Sequence, residues 1–345
     1  MRKWARGVLL VGSIGLALHL VLPQIPGIER SLRLVAGTSH ALVGTAFLAE
    51  LMSELCYAEL LGRSVGVISR SPGRWFMLRL TITGYGAAHV LPGGGAAAAT
   101  VTYDALRRKG FDPERVGLAL AAVTVLVYSA LGMLFSGSLL YMLLGGDLDP
   151  AGTTASILFF VLTLGLALGA YAAYRRPTLA RDAAKAGTRL VGRLLGKEEL
   201  RRKTEAWLVR LVSRLGEELR AARRQLVGRS AQLPKLAALA LGYWAFDILC
   251  LILVFAALGV PASPILLVVA YGVATALAAI PLTPGGIGVF EATMLATLAL
   301  LGVGSEAAIP ILGYRLFNFW LPIPLAAIFY PTLRYAGGDR ALGGG

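Results

Sequence analysis

Charge is scarce in this sequence. Only 15% of its 345 residues are Asp, Glu, Lys or Arg, against 57% hydrophobic residues, with a mean hydropathy of +0.70. A water-soluble domain carries roughly 25% charge, so an ordinary soluble protein is excluded. Cysteine is nearly absent: Cys56 and Cys250 each lie inside an apolar run, which leaves no disulfide framework and no metal spacing. With three histidines there is no His-rich metal set. Nor is there a Cys-x-x-Cys pair, a Gly-x-Ser-x-Gly elbow or a phosphate-binding Lys motif, so no catalytic constellation, metal or cofactor is expected. Gly93, Gly94 and Gly95 do not make a nucleotide loop, because neither a following Lys nor a preceding strand accompanies them.

What is present is a series of apolar runs, each near the ~20 residues that one helical crossing needs. They do not alternate as barrel strands would. The expected fold class is therefore all-α: a polytopic helical membrane protein. Six full crossings are placed at about 7–22, 32–61, 116–144, 152–174, 236–258 and 307–330. The start (Met1, Arg2, Lys3, then apolar from Gly7 to Leu22) reads as an uncleaved first helix. Two more apolar stretches, 75–108 and 264–302, are interrupted by proline and glycine and are expected to be broken or re-entrant hairpins.

The net charge of +14 does not point to nucleic acid once it is located. Residues 175–235 hold 17 of the 33 Lys and Arg and six acids. Trp207, Leu211, Leu215 and Leu219 form an apolar stripe there, with Arg210, Arg214, Arg220 and Arg224 on other faces. A basic amphipathic segment of this kind is expected to lie on an anionic leaflet, the alternative being a cytoplasmic helical hairpin packed on itself. The short loops agree. Arg2, Lys3, Arg6, Arg63, Arg70, Arg74, Arg107, Arg108, Lys109 and Arg115 mark one side, whereas Pro23–Arg30, Gly145–Pro150 and Gly259–Ser263 hold almost no cations. A cell-membrane protein with both termini cytoplasmic follows, provided each broken stretch enters and leaves on one face.

The two broken stretches are related. At a constant offset of 192, Pro92 meets Pro284, Gly93 meets Gly285, Gly94 meets Gly286, Gly110 meets Gly302 and Glu114 meets Glu306. We take this as an internal repeat, about 75–144 and about 264–330, in one membrane domain. Three crossings separate the breaks, an odd number, so the second unit is inverted. Inverted repeats with discontinuous helices build many secondary transporters around a midplane site. Open backbone at membrane depth persists only when buried in protein or lining a wet cavity.

Ionisable side chains inside the bilayer each ask for a reason, at about 2.5–3.5 kcal/mol on insertion scales. Glu291 falls in the first turns of the helix that restarts after Gly286, where the positive helix end favours an anion. Arg315 is its expected counter-ion, with Asn318 one turn beyond. Such a pair can be purely structural, or Arg315 can meet a lipid phosphate while Glu291 balances it. Glu50 and Glu54 share one helix face and can form a proton-coupled carboxylate pair or an ion path, sit near an interface or pair with arginines such as Arg79. Asp247, among Tyr243, Trp244 and Phe246, can join that network, and His89, three residues before Pro92, can face the cavity or pack. The candidate translocation site is thus Arg315, Glu291, Asn318, His89 and the backbone at Pro92, Gly93, Gly94, Gly95, Pro284, Gly285, Gly286 and Gly288, followed by Glu50, Glu54, Arg79 and Asp247.

The run from Pro281 through Thr283, Pro284, Gly285, Gly286, Gly288 and Phe290 to Glu291, then Leu301, Gly302 and Val303 with Tyr314 and Arg315, resembles the flippase-like membrane family, the transmembrane region of lysylphosphatidylglycerol synthases. Leu91, Pro92, Gly93, Gly94 and Gly95 with Leu106, Arg107, Arg108, Lys109 and Gly110 are similar to its first signature. That signature often carries an Arg shortly after its glycines; Ala96–Ala99 and Thr100 stand here instead. The resemblance implies a stand-alone member without the soluble synthase domain, translocating an anionic, modified or polyprenyl-linked lipid between leaflets. A small-solute or ion carrier and an intramembrane lipid-modifying enzyme are the alternatives.

Overall fold

The computed structural model describes residues 37–68, 73–91, 94–145, 232–279 and 283–335. These residues are helical with tight connections, and no strand occurs among them. Three long helices are unbroken: α1 (His40–Ile68), α4 (Pro113–Gly145) and α5 (Leu233–Ala257). A fourth long segment, Ser305–Leu333, is composite. It contains α8 (Ala308–Arg315), a π turn (Leu316–Trp320) and most of α9 (Pro322–Tyr335). These four are long and apolar enough to cross a membrane. Shorter helices come in pairs: α2 (Arg74–Val90) with α3 (Gly95–Arg108), and α6 (Pro264–Ala278) with α7 (Val289–Leu300).

The exterior is apolar, as a hydrocarbon solvent allows: Leu300 is 86% exposed, Leu144 80% and Ile328 63%. Inside, α1 runs along α5 and α2 along α9, while α2 folds onto α3 and α6 onto α7. Small residues make these approaches possible, because helices in lipid gain from close packing and not from excluding water. A methyl group at Gly86 would come within 2.3 Å of the Ala326 side chain, joining α2 to α9, and one at Gly272 would come within 2.1 Å of the Phe135 ring, joining α6 to α4.

Glycines paired at the offset of 192 end their helices with the same backbone geometry. Gly110 ends α3 at φ 89° and Gly302 ends α7 at φ 82°. Phe111 N donates to Leu106 O at 3.2 Å, and Val303 N donates to Leu298 O at 2.9 Å. Gly110 N bonds Arg107 O as Gly302 N bonds Ala299 O. Each is a Schellman stop with a buried apolar pair behind it, Leu106 with Phe111 and Leu298 with Val303. Gly94 and Gly286 are likewise both left-handed, at φ 48° and 69°.

One expected span needs correction, and another, present as Ser305–Leu333, carries an interruption. The helix expected at 32–61 starts at His40, after non-helical Gly37, Thr38 and Ser39, and continues to Ile68. Ser39 N is taken by Ala257 O at 3.0 Å, and the charge of Arg63 is met one turn back by Glu59 at 2.7 Å, so the helix runs on past Leu61. The span at 307–330 is not one continuous α-helix. Pro322 has no N–H to give, and the preceding turn widens so that Leu321 N reaches Leu316 O at 2.9 Å. The expected spans at 7–22 and 152–174, and the basic segment except its last four residues, lie outside the described residues.

Candidate functional site

Local chain chemistry builds the second break. Beyond Ala279, Gly285, Gly286 and Gly288 take left-handed conformations (φ 58°, 69° and 80°) that an L side chain rarely adopts. Pro284–Gly286 forms one 3₁₀ turn, and Thr283 Oγ1 closes the loop by donating to Ile287 O at 2.9 Å. The helix restarts at Val289. Gly288 cannot cap it with a side chain, so Glu291 reaches back and accepts the Gly288 N–H on Oε2 at 2.7 Å.

The other oxygen of that carboxylate, Oε1, accepts from Arg315 Nε at 2.5 Å. Both residues are buried. Glu291 thereby ties three things together: the restarted helix, the glycine loop and the end of α8. Arg315 extends Nη2 toward Gly285 O at 3.4 Å, and its guanidinium lies between the rings of Phe290 and Phe319, at 4.9 and 4.3 Å from their centroids. Nη1 makes no hydrogen bond among the described residues.

The first break meets this assembly through His89. Leu91 N closes α2 on Ala87 O at 2.9 Å, and Gly94 turns the chain into α3 at Gly95; Pro92 and Gly93 lie outside the described residues. In the last turn of α2 the buried His89 ring packs between Tyr85, at 4.7 Å, and Phe319, at 4.2 Å. A methyl group at Gly285 would stand 2.9 Å from His89 Cα and 2.5 Å from the Phe319 ring. The residues flanking the two interruptions are in contact.

One turn beyond Arg315, the π turn presents Asn318 to a second polar cluster. Its Nδ2 donates to Asp247 Oδ1 at 3.0 Å and to Glu50 Oε1 at 3.2 Å, with Tyr85 Oη at 3.3 Å. Asp247 also accepts the Tyr314 hydroxyl, at 2.7 Å, and the Tyr271 hydroxyl. On α1, Ser53 donates to Tyr243 O at 2.7 Å. Glu54 stands one turn from Glu50, with neither of its carboxylate oxygens bonded, and Glu50 Oε2 is unbonded too.

Most of the expected site residues therefore converge. Arg315, Glu291, Gly285, Gly286, Gly288 and His89 form one group, and Asn318, Glu50, Glu54 and Asp247 an adjoining one, with Pro284 in the loop between α6 and α7. Arg79 stands apart: it lies over the Trp75 ring at 5.7 Å and makes no ion pair with Glu50 or Glu54. The hydroxyls of Tyr85, Tyr271 and Tyr314 were not foreseen as part of the site; the sequence signal for them is a phenol inside an otherwise apolar run. A separate open cavity of about 530 Å³ lies between α1, α2 and Gln232, bordered by Arg63, Arg74, Glu59 and Trp75.

None of the curated proteins matches this chain. Residues 7–326 match the family of the lysylphosphatidylglycerol synthase TM region. The match spans both helix interruptions and both polar groups, and the chain, a multi-pass membrane protein by its long apolar helices, belongs to that family.

Proposed function

We propose that this protein is a lipid translocase, moving an anionic, modified or polyprenyl-linked lipid between leaflets through the site around Arg315. One observation carries this reading: a buried guanidinium held at a helix interruption by the Glu291 carboxylate and walled by two aromatic rings. A lipid phosphate offers two oxygens at the spacing that a planar guanidinium fork binds best. It can take the place of Glu291, which keeps the Gly288 N–H when Arg315 leaves. The rings of Phe290 and Phe319 hold the cation by their faces in the meantime.

The glycine loop brings main chain up to this cation, with Gly285 O 3.4 Å from Arg315 Nη2, and α7 begins there with its positive end. With the two repeats inserted in opposite senses, rocking of one against the other would open this group alternately to each side. The basic segment at 175–235 would gather anionic lipid at the cytoplasmic leaflet. The family's membrane-lipid role supports a lipid over a small solute as cargo.

Proteoliposomes loaded with fluorescent lipids of several headgroups test the assignment. Wild type exchanges at least one headgroup class between leaflets, and Arg315→Ala and Glu291→Gln slow it at least tenfold. Equal rates in all three proteins would remove this site from transport.

A further inference from the structure

Glu50, Glu54 and Asp247 pose a charge problem that lipid binding at Arg315 does not use. All three are buried, at 4%, 7% and 1% exposure. No cation meets any of them among the described residues. Arg315 is committed to Glu291, Arg79 lies on Trp75, and His89 packs between rings. The groups that do face the cluster are Tyr57 from α1, Tyr85 from α2, Tyr243 and Cys250 from α5, Tyr271 from α6 and Tyr314 from α8. Each is a phenol or a thiol and brings no positive charge.

Three anions without a counter-ion in a hydrocarbon-bounded interior would cost many kcal/mol, far more than one amide and a few hydroxyls return. Positive charge must enter the cluster. A metal ion does not suit it: no group of three His, Cys, Asp or Glu among the described residues is arranged to hold one. A proton does. Glu50 and Asp247 accept from the same Asn318 amide, so their carboxyls are adjacent, and a proton on one relieves both. Glu54 adds an independent sign. Both of its oxygens are buried with no donor, an arrangement that is satisfied when the carboxyl carries its own hydrogen.

We propose that Glu50 and Asp247, bridged by Asn318 and flanked by Glu54, form a proton-binding site whose loading and unloading is coupled to transport. The proton arrives from water on one side, sits on a carboxyl oxygen and leaves to water on the other; no bond besides O–H is made or broken. The link to the lipid site is covalent and short: Arg315 ends α8, and Asn318 follows it by three residues in the π turn that begins there. The coupling rests on the translocase reading; the proton site does not.

Two measurements test it. Infrared spectra of the protein in lipid nanodiscs should show a protonated-carboxyl band at neutral pH that weakens in Glu50→Gln, Glu54→Gln and Asp247→Asn but not in exposed Glu114→Gln. No such band, or a band indifferent to all three substitutions, would overturn the proton site. In proteoliposomes, a gradient of one pH unit should hold the lipid unevenly between leaflets, by up to about tenfold for each proton coupled. In Asp247→Asn and Glu50→Gln the gradient should no longer bias the distribution, and the ratio should lie near one at whatever rate each variant exchanges lipid. Lipid exchange that ignores the pH gradient, or follows a sodium gradient instead, refutes the coupling and leaves the translocase standing. An infrared band without lipid exchange defeats the translocase and the coupling while confirming the proton site.

Discussion

Gly285 and His89, one from each helix interruption, stand so close that a single methyl group on Gly285 would lie 2.9 Å from the His89 Cα. Backbone on the His89 side cannot yield as a flexible side chain would, and Gly285 is also left-handed. Gly285→Ala should therefore cost about 1–2 kcal/mol from backbone strain alone, with the contact adding to it, and lipid exchange should fall with it. Gly117→Ala, where nothing lies within 4 Å, is the control and should leave both stability and exchange unchanged. Thermal unfolding in detergent, read beside the exchange rate, checks the pair.

The ion pair of Glu291 with Arg315 predicts a distinctive pattern of single and double changes. Removing one partner leaves a buried charge and should cost about 3–5 kcal/mol, whereas Glu291→Gln combined with Arg315→Met should cost much less than the two losses added. Arg315→Lys should not restore transport. A point charge cannot both donate to Glu291 as Nε does and keep a second nitrogen free for a phosphate. A double-mutant cycle on melting temperature, with transport measured on the same samples, tests this.

Tyr314 and Tyr271 both donate to Asp247. Tyr314→Phe removes one donor from a carboxyl that has few others, at an expected cost of about 1–3 kcal/mol, and Tyr271→Phe should behave alike. The double Tyr→Phe variant should cost more than the sum, because only Asn318 and the neighbouring Glu50 would then remain to Asp247. Additive losses in chemical denaturation would show instead that the two hydroxyls act independently.

Away from the site, Gly272 receives the Phe135 ring where α6 meets α4. Gly272→Ala should destabilise by about 1–3 kcal/mol through overpacking, and Phe135→Leu in the same chain should recover much of the loss. Lipid exchange per folded molecule should be nearly unaffected, which separates packing damage from damage to the site.

Much of this arrangement can be read from the residues, and the reasons are local. Proline followed by paired glycines cannot continue a helix, so 75–108 and 264–302 broke where expected. The pairing of Gly110 with Gly302 reappears as two matching Schellman stops, because a left-handed glycine at the end of a helix, followed by an apolar residue that packs back on the last turn, favours that geometry. Glu291 found Arg315 because a charge in hydrocarbon has few permitted partners. What could not be read depends on distant chain. Nothing near Asn318 in sequence indicates Glu50, 268 residues away, and nothing near Asp247 indicates the hydroxyls of Tyr271 and Tyr314. The π turn was missed although Pro322 announces an interruption, since a missing N–H tells where a helix is disturbed and not how it is repaired.

That wide turn at Leu316–Trp320 amounts to one surplus residue held between two ordinary helical stretches. If the surplus slid out, the chain ahead of it would swivel by about 100°, the angle each residue occupies in an α-helix. Arg315 would swing away from its carboxylate, and Asn318 would lose its two acid partners, while Pro322–Tyr335 stayed seated on its neighbour. A single helix would thus act as a crank, turning both polar groups together without any long-distance relay.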